Sequence, residues 1–323
     1  MKLSTFTKVM ATTALVAMTA TATLAADIAV IGGSNDDAFW NKIKKGLDDA
    51  TPAVVANGGS VNYLRLVNYD NFAPDVVQLI RTAISMEVDG LVIPDWVPEA
   101  EDPAIKEAIA AGITVILMNA GGADKARELG AINYVGNEEY PAGVAGGEYF
   151  ASHGQKNVLC VNTLPGATNT EARCKGVSDA ITAAGGKSTQ LPLPTTSFGD
   201  ATAVAEAIKA EILKDETIDG VITISAGDAD SAAIGIEQSG RAAAISLASF
   251  DMNEAGLARI KAGTQTFSID QQPYLQGYLS VSILASAIDF GTSLPTFPIL
   301  TGPGIVDASN IDATLAGVEK GAR

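Results

Sequence analysis

Apolar and polar positions alternate between two periods along almost the whole chain. Residues 27–32 form a short β-branched apolar run, and residues 38–56 then place Phe39, Trp40, Ile43, Leu47, Ala50 and Val54 at helical spacing. Residues 61–67 alternate in period two, and Val76, Leu79, Ile80, Ala83 and Ile84 return to the helical period. Residues 91–93 are a buried-strand run behind Asp89 and Gly90. Ala104, Ile105, Ala108 and Ile109 mark a helix that Gly112 stops, and 113–118 is again strand-like. Further strands are predicted at 131–135, 157–162, 188–193, 219–224, 244–249 and 265–270, and helices at 139–152, 170–184, 200–213, 228–239, 253–262 and 273–289.

Continuous apolar strands alternating with helices indicate parallel sheets covered on both faces. So many strands overfill one open sheet, and an eight-fold barrel is the other way to close such a chain. A chain of 323 residues suits two domains of roughly 150 each, so two doubly wound α/β domains are predicted.

Ligands of open parallel sheets bind beyond the carboxyl ends of the strands, which makes the residues after each run the ones that matter. Asp36, Asp37, Phe39 and Trp40 follow 27–32. Asp95 and Trp96 follow 91–93, and Asn119 follows 113–118. In the second half Arg173 lies beyond 157–162, Asp228 beyond 219–224, Asp251 beyond 244–249 and Gln271 beyond 265–270. Carboxylates accept from hydroxyls, amides both accept and donate, and aromatic faces pack on the C–H faces of a sugar ring or polyol chain. The set points to a small neutral sugar or polyol. Any one of these acids could equally be a helix cap; their recurrence at one end of both sheets is what singles them out.

Composition narrows the classes. Hydrophobic residues make up 47 % and charged residues 18 %, which supports sizeable cores and excludes a disordered chain. A net charge of −16 repels nucleic acid phosphates and anionic lipid. Histidine occurs once, at His153, so a multi-histidine metal centre is excluded, and no cofactor is expected. Residues 1–25 carry Lys2 and Lys8, an uncharged stretch over 9–24, and small residues at Thr23 and Ala25. This is the pattern of a secretory signal peptide cleaved near Ala25, and it implies a periplasmic protein. The alternative is a membrane anchor, for which the stretch is short and rich in Ala and Thr. Cys160 and Cys174 would pair in an oxidising compartment; otherwise they are two buried thiols.

In order along the chain, 28–31 with 35–40, 89–94, 112–116, 135–137, 173–176, 250–251 and 270–273 resemble the motifs of the type I periplasmic sugar-binding proteins, solute receptors of ABC importers similar to the ribose-binding type. The resemblance covers essentially the whole chain after residue 25. It implies a lobe of 26–134 plus 271–300, a second of 135–270 plus 301–323, and a three-segment hinge near 133–136, 270–272 and 300–303. It implies Asp37 as a hydroxyl ligand and Phe39 and Trp40 as stacking aromatics. Asn119 falls where the family usually has Asp, Arg173 on a ligand-binding arginine, and Phe198 on a second-lobe aromatic. Asp228 is a further match, in a 225–230 loop longer than usual, and Asp251 and Gln271 are the last polar contacts. Ala120 stands where the family often has arginine, so the pattern of hydroxyls recognised should differ, with Asp95 and Trp96 as replacement contacts. The implied action is capture by lobe closure and delivery to a membrane permease, as a monomer.

Other readings fit less well. Residues 32–35 follow a strand but lack the spacing of a dinucleotide loop. His153 sits near a helix end beside Gly154, where a surface role suits it. Asp36 and Asp37 could do acid–base work in an exported enzyme acting on a small carbohydrate, and Asp228 with Asp230 could hold a cation. A sugar-responsive transcription regulator would need a basic N-terminal helix-turn-helix, and none precedes the first strand. A receptor for chemotaxis or signalling shares every feature of the transport reading. The acidic run 99–102 reads as the solvated start of a helix.

Overall fold

The computed structural model describes residues 25–323; the expected export signal lies outside the described residues. The chain runs β1 (Asp27–Gly32), α1 (Ala38–Ala56), β2 (Ser60–Arg65), α2 (Phe72–Ser85), β3 (Gly90–Ile93), α3 (Pro98–Ala110), β4 (Thr114–Met118), α4 (Gly122–Leu129) and β5 (Asn133–Gly136). It continues with α5 (Glu139–Ser152), β6 (Asn157–Asn162), α6 (Thr168–Ala183), β7 (Lys187–Pro192), α7 (Ala201–Lys214), β8 (Gly220–Thr223), α8 (Ala226–Gln238), β9 (Ser246–Phe250), α9 (Glu254–Ala262) and β10 (Phe267–Asp270). The last stretch is α10 (Pro273–Phe290), β11 (Ile299–Leu300), β12 (Gly304–Asp307) and α11 (Ile311–Val318).

These strands form two six-stranded sheets, ordered β11-β5-β4-β3-β1-β2 and β12-β10-β9-β8-β6-β7. Every neighbouring pair is parallel except β10 with β12. The central strands β1, β3, β6 and β8 are buried almost end to end, as expected where helices cover both faces of a parallel sheet. The predicted pair of doubly wound α/β domains is what the structure contains. The chain passes from one sheet to the other three times, after β5, after β10 and between β11 and β12.

Two glycine contacts set helix positions that matter for the cleft. A Cβ on Gly143 of α5 would lie 2.2 Å from Arg173 O, and one on Gly176 of α6 would lie 2.3 Å from Tyr140 O. Only glycine lets these two helices cross at backbone contact, and that crossing brings the first turn of α5 against Arg173. Cys160 in β6 and Cys174 in α6 are joined by a disulfide, with Cα atoms 5.6 Å apart.

Four elements have no counterpart in the periodicity: α4, β11, β12 and α11. Helix α4 is eight residues long and opens behind Gly121 at φ 96°, so the two glycines at its start read as a breaker. Strand β11 is two residues long, too short to show a period, and β12 buries only Val306, where the equally short β3 is buried throughout.

Candidate functional site

The carboxyl ends of the two sheets face each other across a cleft. An outer chamber of about 300 Å³ adjoins a tighter inner one of about 40 Å³, and Asp37, Phe39, Phe198, Ser225 and Asp251 line both.

Asp37 is the N-cap of α1. Its Oδ1 accepts from Phe39 N at 3.0 Å and its Oδ2 from the Tyr69 hydroxyl at 2.8 Å. Burial raises its pKa against those hydrogen bonds and the nearby Arg65 and Lys42 charges. Trp40 Nε1 donates to the same Tyr69 oxygen at 3.2 Å. From there the aromatic wall runs edge to face, Phe39 to Trp40 at 5.3 Å, Trp40 to Trp96 at 5.4 Å, and Tyr69 across the cleft to Phe198 at 4.8 Å.

Asn119 and Asp251 sit at equivalent places, just past β4 and β9, and both adopt the left-handed backbone, at φ 67° and 63°. Asn and Asp tolerate that conformation better than other side chains, and here it turns each one into the cleft. Asn119 Nδ2 donates to Gln271 Oε1 at 3.4 Å and to Gln276 Oε1 at 3.3 Å, and Gln271 Nε2 donates to Asp251 Oδ1 at 2.8 Å. The network thus joins both sheets through the β10–α10 crossing. Burial pushes the Asp251 carboxyl up to about 7 in spite of Arg173 and Lys42.

Arg173 is fully buried. Its Nε and Nη2 grip the Glu139 carboxylate at 2.7 and 2.9 Å, its Nη1 donates to Ile224 O at 3.0 Å, and the guanidinium lies 4.6 Å from the Phe250 ring centre. Its planar fork suits this arrangement as a lysine would not. Asp228 accepts from Thr163 Oγ1 at 2.7 Å and Ser225 Oγ at 2.9 Å, and burial raises its pKa to about 6.

The structure brings Asp37, Phe39, Trp40, Asn119, Arg173, Phe198, Asp228, Asp251 and Gln271 to this cleft. Asp95 is a correction. Trp96 lines the inner chamber, but Asp95 turns away from it into the N-terminal lobe, beside Asp102 and against Gly121. Within the acidic run 99–102 at the start of α3, Glu99 is exposed as expected but Glu101 is not. Glu101 is 0 % exposed and accepts from Trp96 N and Val97 N at 2.9 and 3.1 Å, holding the turn that presents Trp96. The expected long loop at 225–230 is the first turn of α8, with Ser225 as its N-cap. Asp230 does not join Asp228 around a cation; it pairs with Arg259 at 2.6 Å and with Asn253 at 2.8 Å. Among the described residues no cluster of His, Cys, Asp and Glu is placed to hold a metal ion.

Several cleft residues escaped the sequence analysis. Tyr69 follows the edge strand β2 by four residues. Asn169 precedes Arg173 by four, which puts both on one face of α6; its Oδ1 is buried in the inner chamber with no protein partner. Lys42 of α1 donates across the cleft to Met252 O, with Asp251 and Asp270 beyond it. Burial lowers the Lys42 pKa while those carboxylates oppose the shift. On the other side, Thr168 at the start of α6 donates its N–H to Trp96 O at 2.8 Å and its hydroxyl to Asp95 O at 3.0 Å. Lys42→Met removes one of these two straps. The ligand-free variant is expected to show a larger radius of gyration in small-angle scattering and about tenfold weaker binding, roughly the 1.4 kcal/mol of one charge-assisted hydrogen bond. An unchanged scattering curve would mean that the strap is not part of closure.

The family model described as "Periplasmic binding protein domain" matches residues 28–293. The chain belongs to this family. The sequence-based resemblance is thereby borne out. A crystal structure of a carbohydrate transporter from Acidothermus cellulolyticus, in complex with myo-inositol, is similar at 34 % identity and a TM-score of 0.83, over 92 % of this chain and 99 % of that one. GanP, a glucose-galactose binding protein from Geobacillus stearothermophilus, shares the fold at 21 % identity and a TM-score of 0.76, over 88 % and 98 % of the two chains. The xylose/arabinose-binding protein XylF of Sulfolobus acidocaldarius is 24 % identical over 74 % of this chain, and the match spans 62 % of that protein's length. In this periplasmic binding protein the left-handed Asn119 and Asp251, the Arg173–Glu139 pair and the aromatic wall line the cleft between the two lobes.

Proposed function

We propose that this protein captures a small neutral sugar or cyclic polyol by closing its two lobes, and delivers it to the membrane permease of an ABC importer. The observation that carries the proposal is the composition of the cleft. Carboxylates and amides from both sheets converge there between flat aromatic rings, and the Arg173 guanidinium is neutralised by Glu139. An excess of buried acid over free base disfavours anionic solutes and suits hydroxyl donors. The similarity to a transporter protein bound to myo-inositol makes a cyclitol the first ligand to test. Export to the periplasm agrees with the signal-like residues 1–25.

The lobes move about the three chain crossings, and ligand contacts from both sides favour the closed form by the ligand's differential affinity for it. Specificity follows from hydrogen-bond completeness, because an analogue lacking one hydroxyl leaves a buried partner unpaired. No bond is made or broken. Asp37, the strongest candidate for acid–base work, has both oxygens committed to Phe39 N and Tyr69.

Trp40 and Trp96, the two tryptophans of the chain, both line the inner chamber. Ligand binding is therefore expected to change intrinsic fluorescence and raise the melting temperature, by an amount set by concentration over Kd. Myo-inositol, D-arabinose, D-galactose and myo-inositol phosphate should be titrated side by side. Saturable changes with at least one neutral compound and none with the phosphate support the proposal. Tight binding of the phosphate alone would reject it.

A further inference from the structure

The disulfide closes a segment that does more than stabilise the second lobe. Cys160 and Cys174 are 14 positions apart, and the residues between them leave the end of β6, turn over the cleft and return as the first two turns of α6. Thr163 in this segment holds Asp228. Leu164, Asn169, Thr170 and Arg173 line the inner chamber. Thr168 makes both hydrogen bonds to the opposite lobe at 95–96. The segment thus supplies four of the residues that line the inner chamber and one of the two straps across the cleft. Its internal bonds are local: Thr170 Oγ1 to Leu164 O at 2.8 Å, Gly166 N to Glu171 Oε1 at 2.9 Å, and Leu164 N to Asn162 Oδ1 at 2.9 Å. Asn162 Nδ2 also donates to Glu171 Oε1 at 3.1 Å, a side-chain tie between the end of β6 and α6. The bridge is the one covalent tie between β6 and this part of α6, at the residue next to Arg173.

We propose that the Cys160–Cys174 bridge is a positioning element of the ligand site, so that ligand affinity depends on the redox state of the pair. The inference rests on the binding function proposed above. A dithiol supplies two electrons and two protons, the S–S bond opens to two thiols, and the dithiol leaves as its own disulfide. The freed α6 start then samples positions in which Asn169, Arg173 and Thr168 no longer meet ligand and opposite lobe together. Linkage makes the effect reciprocal. If reduction weakens ligand binding tenfold, bound ligand lowers the reduction potential of the bridge by about 30 mV.

The test uses the protein in its oxidised form, after reduction with dithiothreitol, and as Cys160→Val/Cys174→Ala. Myo-inositol titration, followed by tryptophan fluorescence, is expected to give a Kd about tenfold higher for both bridge-free forms. Amide hydrogen exchange without ligand is expected to be at least tenfold faster over 163–173, with β8 and β9 still protected. Equal affinity for myo-inositol in the oxidised and bridge-free forms overturns the proposal, whatever the exchange over 163–173 shows. So does loss of protection throughout the second sheet, which would make the bridge a general staple. Should myo-inositol bind neither oxidised nor reduced protein, the ligand assignment fails, while the exchange comparison still decides the role of the bridge.

Discussion

Arg173→Ala is expected to abolish ligand binding and to cost about 3–5 kcal/mol of stability, because it strands a buried carboxylate. Glu139 is in the first turn of α5, 7 % exposed, and Arg173 holds both of its oxygens. Burial raises the Glu139 pKa even with the guanidinium present; without it the rise must grow. A carboxyl whose folded pKa lies above its unfolded value binds more protons when folded, so stability falls as pH rises between the two. The loss in Arg173→Ala should accordingly be larger at pH 8 than at pH 5, as read from urea unfolding midpoints. Arg173→Met combined with Glu139→Leu removes both charges and should recover most of the stability without recovering binding. A single variant that unfolds like the parent at both pH values would show that Glu139 finds another partner.

Asp95→Asn should stabilise the protein at pH 8 and stabilise it much less at pH 5. Asp95 is 0 % exposed, and neither of its oxygens has a protein hydrogen-bond partner. Burial first, and then the Asp102 charge, push its pKa up to about 7, with Lys125 opposing. Glu101 next to it is pushed to about 8 by burial and by Asp95. Both folded values lie above the unfolded ones, so the stability these two groups contribute is greatest in acid and declines as pH rises from about 4 to about 8. One pKa unit is worth about 1.4 kcal/mol. The two acids share one environment, so the combined loss is on the order of a few kcal/mol rather than the sum of two shifts. Replacing Asp95 by its neutral isostere removes most of it, worth about 5 °C in melting temperature at pH 8. A variant that melts lower than the parent at pH 8 would mean that the Asp95 charge is held by a partner.

The rule that ligands gather beyond the strand ends located Asn119, Asp228, Asp251 and Gln271 from the sequence alone, because each follows its strand directly or opens the next helix. The same rule failed at Asp95. The turn between β3 and α3 folds back on Glu101, and nothing in an alternation of apolar residues records which way a side chain leaves a turn. Glu101 shows the same limit in reverse: acidic runs at helix starts are usually solvated, but this one satisfies two backbone N–H groups in a buried turn. Asn169 was within reach, since its spacing from Arg173 puts the two on one helical face. Tyr69 and Lys42 were not, because their roles depend on a neighbouring loop and on the opposite lobe. The fold was legible where an element buries a continuous or periodic apolar set, as in β3 and β8, and illegible in β11 and β12, which bury little and owe their existence to the strands they pair with.

The three passages between the sheets also bear on how the protein is made. Helix α10 covers α1 so closely that a Cβ on Gly46 would lie 2.1 Å from Tyr274 O, and β11 completes the first sheet beside β5. Both arrive only with residues 273–300. A ribosome that has finished the first two hundred residues has released every other part of that unit, yet its interior is still open to water. The earliest-synthesised lobe must therefore wait for the last sixth of the chain before it can seal, and a truncation anywhere before residue 273 leaves it with an exposed greasy flank rather than a shorter but sound domain.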